Sequence, residues 1–391
     1  MTTAHSTDKP AAVYLIGDCP VRLWSMTQEE RFRRAFARTG IATLQREGEP
    51  WPASGTVILI RTDYALEEVL TRALAATPDT ILAVDAKGTR RAIAAHVPAA
   101  RAAEVAALLR GDGTWPADLA VQDPATLGST YNHALRKRAV PYALSLAELP
   151  AISVEKRMFH GAYKGVTDFV TKWLWPWPAF WVTRWCAAWG ISPNAVTAAS
   201  FVLVLVALWL FAIGQFGLGV VVAWLMTFLD TVDGKLARVT LTSSKLGNVF
   251  DHGIDLLHPP FWYAAWYYGI YALGTDLPPA LLSLSLWIVI IGYVLGRLQE
   301  GFFIWQFKFE LHAWRPVDAA FRLFTARRNP NLALMTLATL AGRPDLGFLA
   351  VALWTVLSLA FHFLRIGQAL RLRRSGAVLR SWLTEPIAAA P

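Results

Sequence analysis

The sequence predicts two joined folds. An α/β N-terminal domain on the cytosolic side is followed by an all-α membrane domain of six transmembrane helices, entered through an interfacial amphipathic helix. Three observations predict this. Residues 11–150 alternate short β-branched runs with helical ones, residues 154–190 mix tryptophans with basic residues, and residues 191–375 hold nearly all the long apolar runs. Residues 1–10 read as a disordered N-terminus and residues 376–391 as a C-terminal tail.

In the first domain, VYLI at 13–16, TVILI at 56–60 and TILAV at 80–84 read as buried parallel strands, being short apolar runs between polar ones. Residues 27–38, 65–76 and 99–110 read as helices. Such alternation argues for a sheet with helices on its faces. The turn after the first strand, Gly17-Asp18-Cys19-Pro20-Val21-Arg22-Leu23, contains a proline and lacks the paired glycines that let backbone N–H groups approach phosphates. The two cysteines, Cys19 and Cys186, stand far apart, which excludes a disulfide framework and a thiolate metal site.

Between 154 and 189, Lys156, Arg157, Lys164, Lys172 and Arg184 stand among Trp173, Trp175, Trp177, Trp181, Trp185 and Trp189. The water–lipid interface favours that mixture. Pro176 and Pro178 are expected to break the helix into two pieces. Earlier in the same stretch, Lys164 and Asp168 are expected one turn apart, near the mouth of the site. Ser192-Pro193 reads as an N-cap followed by proline at the first helical position, opening the first span.

Apolar length sets the spans at about 195–214, 217–238, 247–270, 279–298, 329–344 and 346–368. The turns after the first, third and fifth hold one Lys or Arg between them. The opposite side holds Arg238, Lys245, Arg297, Lys308, Arg315, Arg322, Arg327, Arg328, Arg371, Arg373 and Arg374. The positive-inside rule puts that side and both termini in the cytoplasm, with the chain in the inner or cytoplasmic membrane. The first long apolar run begins only after Ser192, so no cleavable signal peptide is expected. A net charge of +9 without a nucleic-acid motif suits an anionic lipid surface and excludes a nucleic-acid partner.

The chemistry concentrates between Asp230 and Asp255. Asp230, Asp233, Gly234 and Ala237 recur at i, i+3, i+4 and i+7, and Gly247, Asp251 and Asp255 at i, i+4 and i+8. Each set shares one helical face, so two helices aim carboxylates at a common point. Ionisable groups inside a membrane mark function by default. Hard cations such as Mg²⁺ take carboxylate oxygens together with substrate phosphates. Two such ions can clamp an in-line displacement at phosphorus, and a carboxylate at the edge can take the nucleophile's proton. Gly234 and Gly247 leave room for a nucleotide or a facing helix, and Arg238 offers a fork suited to phosphate.

The full spacing, D-x2-D-G-x2-A-R-x8-G-x3-D-x3-D, resembles the signature of the CDP-alcohol phosphotransferases, with every position met. The resemblance implies that Asp230, Asp233 and Asp251 bind two divalent metals, Mg²⁺ or Mn²⁺, and that Asp255 is the general base. It implies that Gly234, Ala237, Arg238 and Gly247 line the CMP part of a CDP-alcohol donor. The reaction implied is attack of an acceptor hydroxyl on the phosphorus attached to the donor's alcohol, releasing CMP in phospholipid or polar-lipid synthesis. Six spans in the bilayer and pairing as a homodimer are also what the family implies. The N-terminal region resembles, more loosely, the cytidylyltransferase half of bifunctional inositol-phosphate cytidylyltransferase/CDP-inositol phosphotransferase enzymes. Its missing phosphate loop makes a non-catalytic remnant the expectation.

The donor is expected to be CDP-diacylglycerol, with a soluble CDP-polyol such as CDP-inositol as the alternative. A cation-conducting transporter is the competing class, but transport requires no glycine, alanine or arginine at fixed places. For the acceptor, the basic stretch from Arg297 to Asn329 reads either as a pocket for a phosphorylated polyol or as ordinary positive-inside charge. Arg297, expected to end a span, and Arg315, ahead of a proline, are the candidates for it. His252 and His258 flank the last aspartates, where packing or a backbone hydrogen bond is the common role.

Overall fold

The computed structural model describes residues 10–384, apart from the side chains of Lys245, Leu246, Asn248 and Asp251. The expected disorder of the N-terminus therefore concerns residues outside the described ones, as does the last part of the tail. The described chain divides into two units. One comprises residues 10–132, 138–162 and 239–242, and the other residues 133–137, 163–238 and 243–384.

The first unit is a six-stranded sheet in the order β2-β1-β3-β6-β5-β7. Its elements in chain order are β1 (Ala12–Ile16), α1 (Gln28–Ala37), β2 (Leu44–Arg46), β3 (Thr56–Arg61), β4 (Tyr64–Leu66), α2 (Glu68–Ala76), β5 (Thr80–Ala86), β6 (Thr89–Pro98), α3 (Ala102–Arg110), β7 (Ala120–Gln122), α4 (Pro124–Leu127) and α5 (Ala151–Gly161). Alternation along the strands splits the core in two. Tyr14, Ile16, Val57 and Leu59 pack toward α3, while Val13, Leu15, Ile58 and Ile60 pack toward Phe36 of α1 and Leu70 and Leu74 of α2. The expected strands and helices are present, but the sheet is mixed. β1 and β3 pair in parallel, whereas β6 lies between β3 and β5, antiparallel to both. The cause is a two-residue hairpin at Lys87-Gly88, both at positive φ (53° and 79°), the geometry that returns a strand on itself. α5 buries Val154, Met158 and Phe159 in this unit, and its Glu155 carboxylate accepts from the Trp24 N–H at 2.7 Å. The beginning of the expected interfacial segment is thus a core helix of the first unit.

The second unit is helical. A turn at Val170–Leu174 leads into α6 (Pro176–Ala188), where Pro176 starts the helix and Pro178 sits in its first turn. The prolines thus stand where the π-helical piece Val170–Leu174 gives way to α6, dividing the stretch there as expected, and they open α6 at no cost because N–H groups in the first turn have no intrahelical partner to lose. Trp173, Trp177, Trp181, Trp185 and Trp189, four residues apart, are all exposed, from 44% at Trp181 to 76% at Trp177. Ala179, Phe180, Thr183 and Cys186 are buried behind them. Then follow α7 (Pro193–Ala212), α8 (Phe216–Val239), α9 (Lys245–Leu273), α10 (Pro279–Phe307), α11 (Pro316–Arg322), α12 (Arg328–Leu340) and α13 (Pro344–Arg374). Ser192 caps α7 as expected, its Oγ accepting from the Ala195 N–H at 3.2 Å.

Among the described residues four helices, α7, α8, α10 and α13, are long and apolar enough to cross a membrane, against the six spans expected. Trp209, Leu218, Trp287 and Leu364 face outward, a surface that suits lipid and not water. Small residues let the helices approach. A Cβ at Gly269 of α9 would lie 1.9 Å from the Phe211 carbonyl of α7, and one at Gly292 of α10 would lie 2.3 Å from Thr355 Cγ2 of α13. Trp262 and Trp266 then close edge-on against Phe211, with ring centroids 5.8 and 5.7 Å away. α10 runs nine residues past the expected end at 298, because Leu298 to Phe307 contains no proline and stays largely apolar. It stops at Lys308, which takes the left-handed conformation (φ 66°). Arg297 accordingly stands inside a helix and does not end one. Pro259 and Pro260 lie within α9 and remove the donors that would meet the carbonyls of Asp255 and Leu256. The Tyr293 hydroxyl of α10 donates to the Leu256 carbonyl at 2.9 Å.

Candidate active site

Within the second unit α8, α9 and α10, the start of α12 and the segments around Lys164 and Arg322 enclose a cavity of about 470 Å³. Of the candidate site residues, Asp230, Gly234, Arg238, Asp255 and Arg297 line it, and so do Lys164, Asp168 and His252.

Asp230 of α8 and Asp255 of α9 converge on one guanidinium. Arg328 Nη2 donates to Asp230 Oδ2 at 2.6 Å, and its Nη1 donates to Asp255 Oδ1. Two carboxylates from different helices at the two prongs of one cation form a donor set that a hard divalent ion matches. Among the described residues no group of three or more His, Cys, Asp or Glu side chains gathers as a metal nest. The Asp251 side chain, the expected third ligand, lies outside the described residues, although its backbone continues α9 between Gly247 and Asp255. Asp233 is 3% exposed and turned toward α7, where Thr197 Oγ1 donates to its Oδ2 at 2.5 Å.

The two motif glycines differ. A Cβ at Gly234 would meet nothing nearer than Arg238 Nη1 at 3.6 Å, so the side chain's absence keeps cavity space open. A Cβ at Gly247 would lie 2.8 Å from Asn194 Oδ1 and 3.0 Å from Ser244 Oγ, so a larger residue there would have to displace these two side chains at the start of α7 and the cap of α9. Ala237, Gly247 and Arg315 do not line the cavity among the described residues. Arg315 instead precedes α11, with its N–H donating to Asp318 Oδ2 at 3.0 Å and its guanidinium 4.6 Å from the Trp314 ring. His258 Nδ1 meets the Ile254 carbonyl at 2.7 Å, the backbone role expected of it.

The cavity also has a basic wall, to which Arg136, Arg297, Arg322 and Arg327 contribute. Buried N–H groups of three of these, Nε of Arg297, Nε and Nη1 of Arg322 and Nε of Arg327, have no hydrogen-bond partner among the described residues. Burial and the neighbouring Arg327 pull the Arg322 guanidinium down to about 9, against the pull of Asp168 and Glu300. Asp168 is buried too, which opposes its ionisation. Arg322, the Thr171 N–H and the Asn329 amide outweigh that and hold its carboxyl below the usual range. Its Oδ1 accepts from Thr171 N and Asn329 Nδ2, both at 3.0 Å. Lys235, also lining, is buried with its ammonium 3.7 Å from the Tyr163 ring centre.

Sequence reasoning had placed Arg322, Arg327 and Arg328 on this side of the membrane without choosing them. The available signal was their position immediately before the apolar run of α12, which brings them back beside α8 and α9.

Residues 190–362 match the sequence model of the CDP-alcohol phosphatidyltransferase family, a range that holds both walls except Arg136 and the 164–171 segment. Ethanolaminephosphotransferase 1 of Homo sapiens is 36% identical over 77 residues, 18% of this chain and 18% of that one. Cholinephosphotransferase 1 of Gallus gallus is 30% identical over 138 residues, 31% of this chain and 38% of its own. The bifunctional IPC transferase and DIPP synthase of Rubrobacter xylanophilus is 29% identical over 167 residues, 41% and 34% of the two chains. The chain thus spans between 18% and 38% of the length of these relatives. The match over 190–362, a stretch that contains the aspartate spacing of α8 and α9, marks this part of the chain as a CDP-alcohol phosphatidyltransferase domain.

Proposed function

We propose that the protein transfers a phosphoalcohol from a CDP-alcohol to the hydroxyl of an acceptor, releasing CMP. The observation that carries this is the meeting of Asp230 and Asp255 at one cavity inside a domain of that family. The acceptor oxygen bonds to the phosphorus attached to the donor's alcohol, the bond from that phosphorus to the CMP oxygen breaks, and Asp255 takes the hydroxyl proton. Asp230, Asp233 and Asp251 would hold Mg²⁺ or Mn²⁺, which would supply positive charge beside the donor's phosphates. Gly234 leaves space for the nucleotide, and Arg238 hydrogen-bonds a donor phosphate. Ala237 and Gly247 contribute by letting the helices sit close. Arg328 holds the two carboxylates oriented.

The donor is CDP-diacylglycerol and the acceptor a phosphorylated polyol. The arginines that line the basic wall support the acceptor's phosphate, with Arg297, Arg322 and Arg327 as its contacts. A soluble CDP-polyol donor is the second reading, favoured by the similarity to the bifunctional transferase and synthase. α9 and α12 complete six spans with the cavity open to the cytoplasm, and the tryptophan row on α6 lies in the adjoining leaflet. The N-terminal α/β unit is a non-catalytic nucleotidyltransferase remnant, since the turn after β1 offers a single glycine, Gly17, at positive φ before Pro20.

The test is CMP release by purified protein in detergent with Mg²⁺ or Mn²⁺, against both donor types and a panel of polyols and polyol phosphates. CMP from one donor–acceptor pair, lost in Asp255→Asn, is expected. No CMP from any pair with folded protein would remove the proposal.

A further inference from the structure

Behind the basic wall, outside the cavity lining, stands a single carboxylate shared by several cations. Glu300 lies on α10, one turn after Arg297. Its Oε1 accepts from Arg327 Nη2 and faces His312 Nε2 at 3.3 Å, and its Oε2 is 3.4 Å from Arg297 Nη1. These partners come from three places in the chain: α10 itself, the turn at Leu311–Ala313, and the residue that precedes α12.

Arg297, Arg322 and Arg327 repel one another in a partly buried site, where interactions between charges are strong. Left alone, such side chains would turn apart toward solvent. Glu300 engages the far nitrogens of Arg297 and Arg327 and leaves the Nε–H of each buried without a partner. We infer that Glu300 is a positioning residue: from outside the lining it holds Arg297 and Arg327 in the orientation in which they line the cavity and meet the phosphate of the acceptor. This rests on reading the basic wall as the acceptor-phosphate site. Glu300 touches neither substrate nor the reacting atoms. It acts on recognition, so its removal weakens the acceptor and spares the donor.

Glu300→Gln keeps the shape and one acceptor oxygen while losing the charge. In the CMP-release assay the KM for the phosphorylated acceptor should rise about tenfold, with kcat and the donor KM within about twofold of wild type, and Glu300→Asp should recover part of the loss. In an Arg327→Gln background, Glu300→Gln should add less than it does alone, since residues acting through one contact are not additive. A merely structural Glu300 would lower kcat, worsen both KM values and reduce Tm together, and that pattern overturns the inference. The reaction itself need not be right for the test to decide. Inorganic phosphate titrated into the detergent-solubilised protein by calorimetry should bind wild type about tenfold more tightly than Glu300→Gln. No phosphate binding to wild type, or equal affinity in both, overturns the inference. If no donor–acceptor pair yields CMP while the phosphate contrast holds, the proposed reaction fails and the role of Glu300 stands.

Discussion

The two walls of the cavity are built on opposite principles. The acidic wall comes from α8 and α9, whose aspartates repeat at helical spacing and are joined by one arginine, Arg328. The basic wall is assembled from α10, the end of α11 and the residue before α12, with no sequence period, and two of its charges are held by one carboxylate, Glu300, set behind it. Periodicity builds a motif where one rigid element carries every group. Where several elements must meet, only the fold brings the groups together, and the contacts that fix them lie outside the site.

Four substitutions sharpen or break this contrast. Asp255→Asn, on the acidic wall, should cut CMP release on the order of 10³-fold at any acceptor concentration, because a proton acceptor is lost. An unchanged rate would assign the base elsewhere. Arg328→Gln should lower the rate about 10- to 100-fold by freeing both carboxylates, with a raised Mg²⁺ requirement read from a metal titration. Arg322→Gln should raise only the acceptor KM, about 10- to 100-fold, as expected for a lost charge-assisted hydrogen bond. An equal effect on the donor KM would merge the two walls into one nucleotide site. The smallest effect concerns His312, whose imidazole burial pushes down to about 4 from an ordinary 6.5. The folded protein therefore binds fewer protons there than the unfolded chain. Stability from this group is fully present above pH 6.5 and is lost progressively as pH falls toward 4. His312→Gln should flatten the decline in Tm across that window, and an unaltered slope would show that other groups set it.

Legibility in the sequence follows the same division. The spacing Asp230 to Asp255 foretells two helices and a shared point, and the Asp230–Arg328–Asp255 contact brings the first and last aspartates there. Apolar length foretells α7, α8, α10 and α13, because burial in lipid leaves a continuous signal. The end of α10 is not legible in the sequence because a charge, Arg297, looks like a boundary even where the helix continues past it. Arg315 was chosen for the proline after it, yet that proline starts α11 and turns the arginine onto Trp314. β6 escaped notice because its first three residues, Thr89, Arg90 and Arg91, are exposed and polar, and the two-residue turn before it carries lysine in place of the usual asparagine.

The paired prolines of α9 interrupt its hydrogen-bond ladder at the carbonyls of Asp255 and Leu256, and Tyr293 satisfies the second of these from α10. The helix stays continuous through this point, but its ladder is thinnest at the last aspartate, while the part after Pro260 is wedged against Phe211. In deuterium-exchange terms, amides before Pro259 should open and close as one cooperative group and those after Pro260 as another. Tyr293→Phe should hasten exchange in the first group far more than in the second.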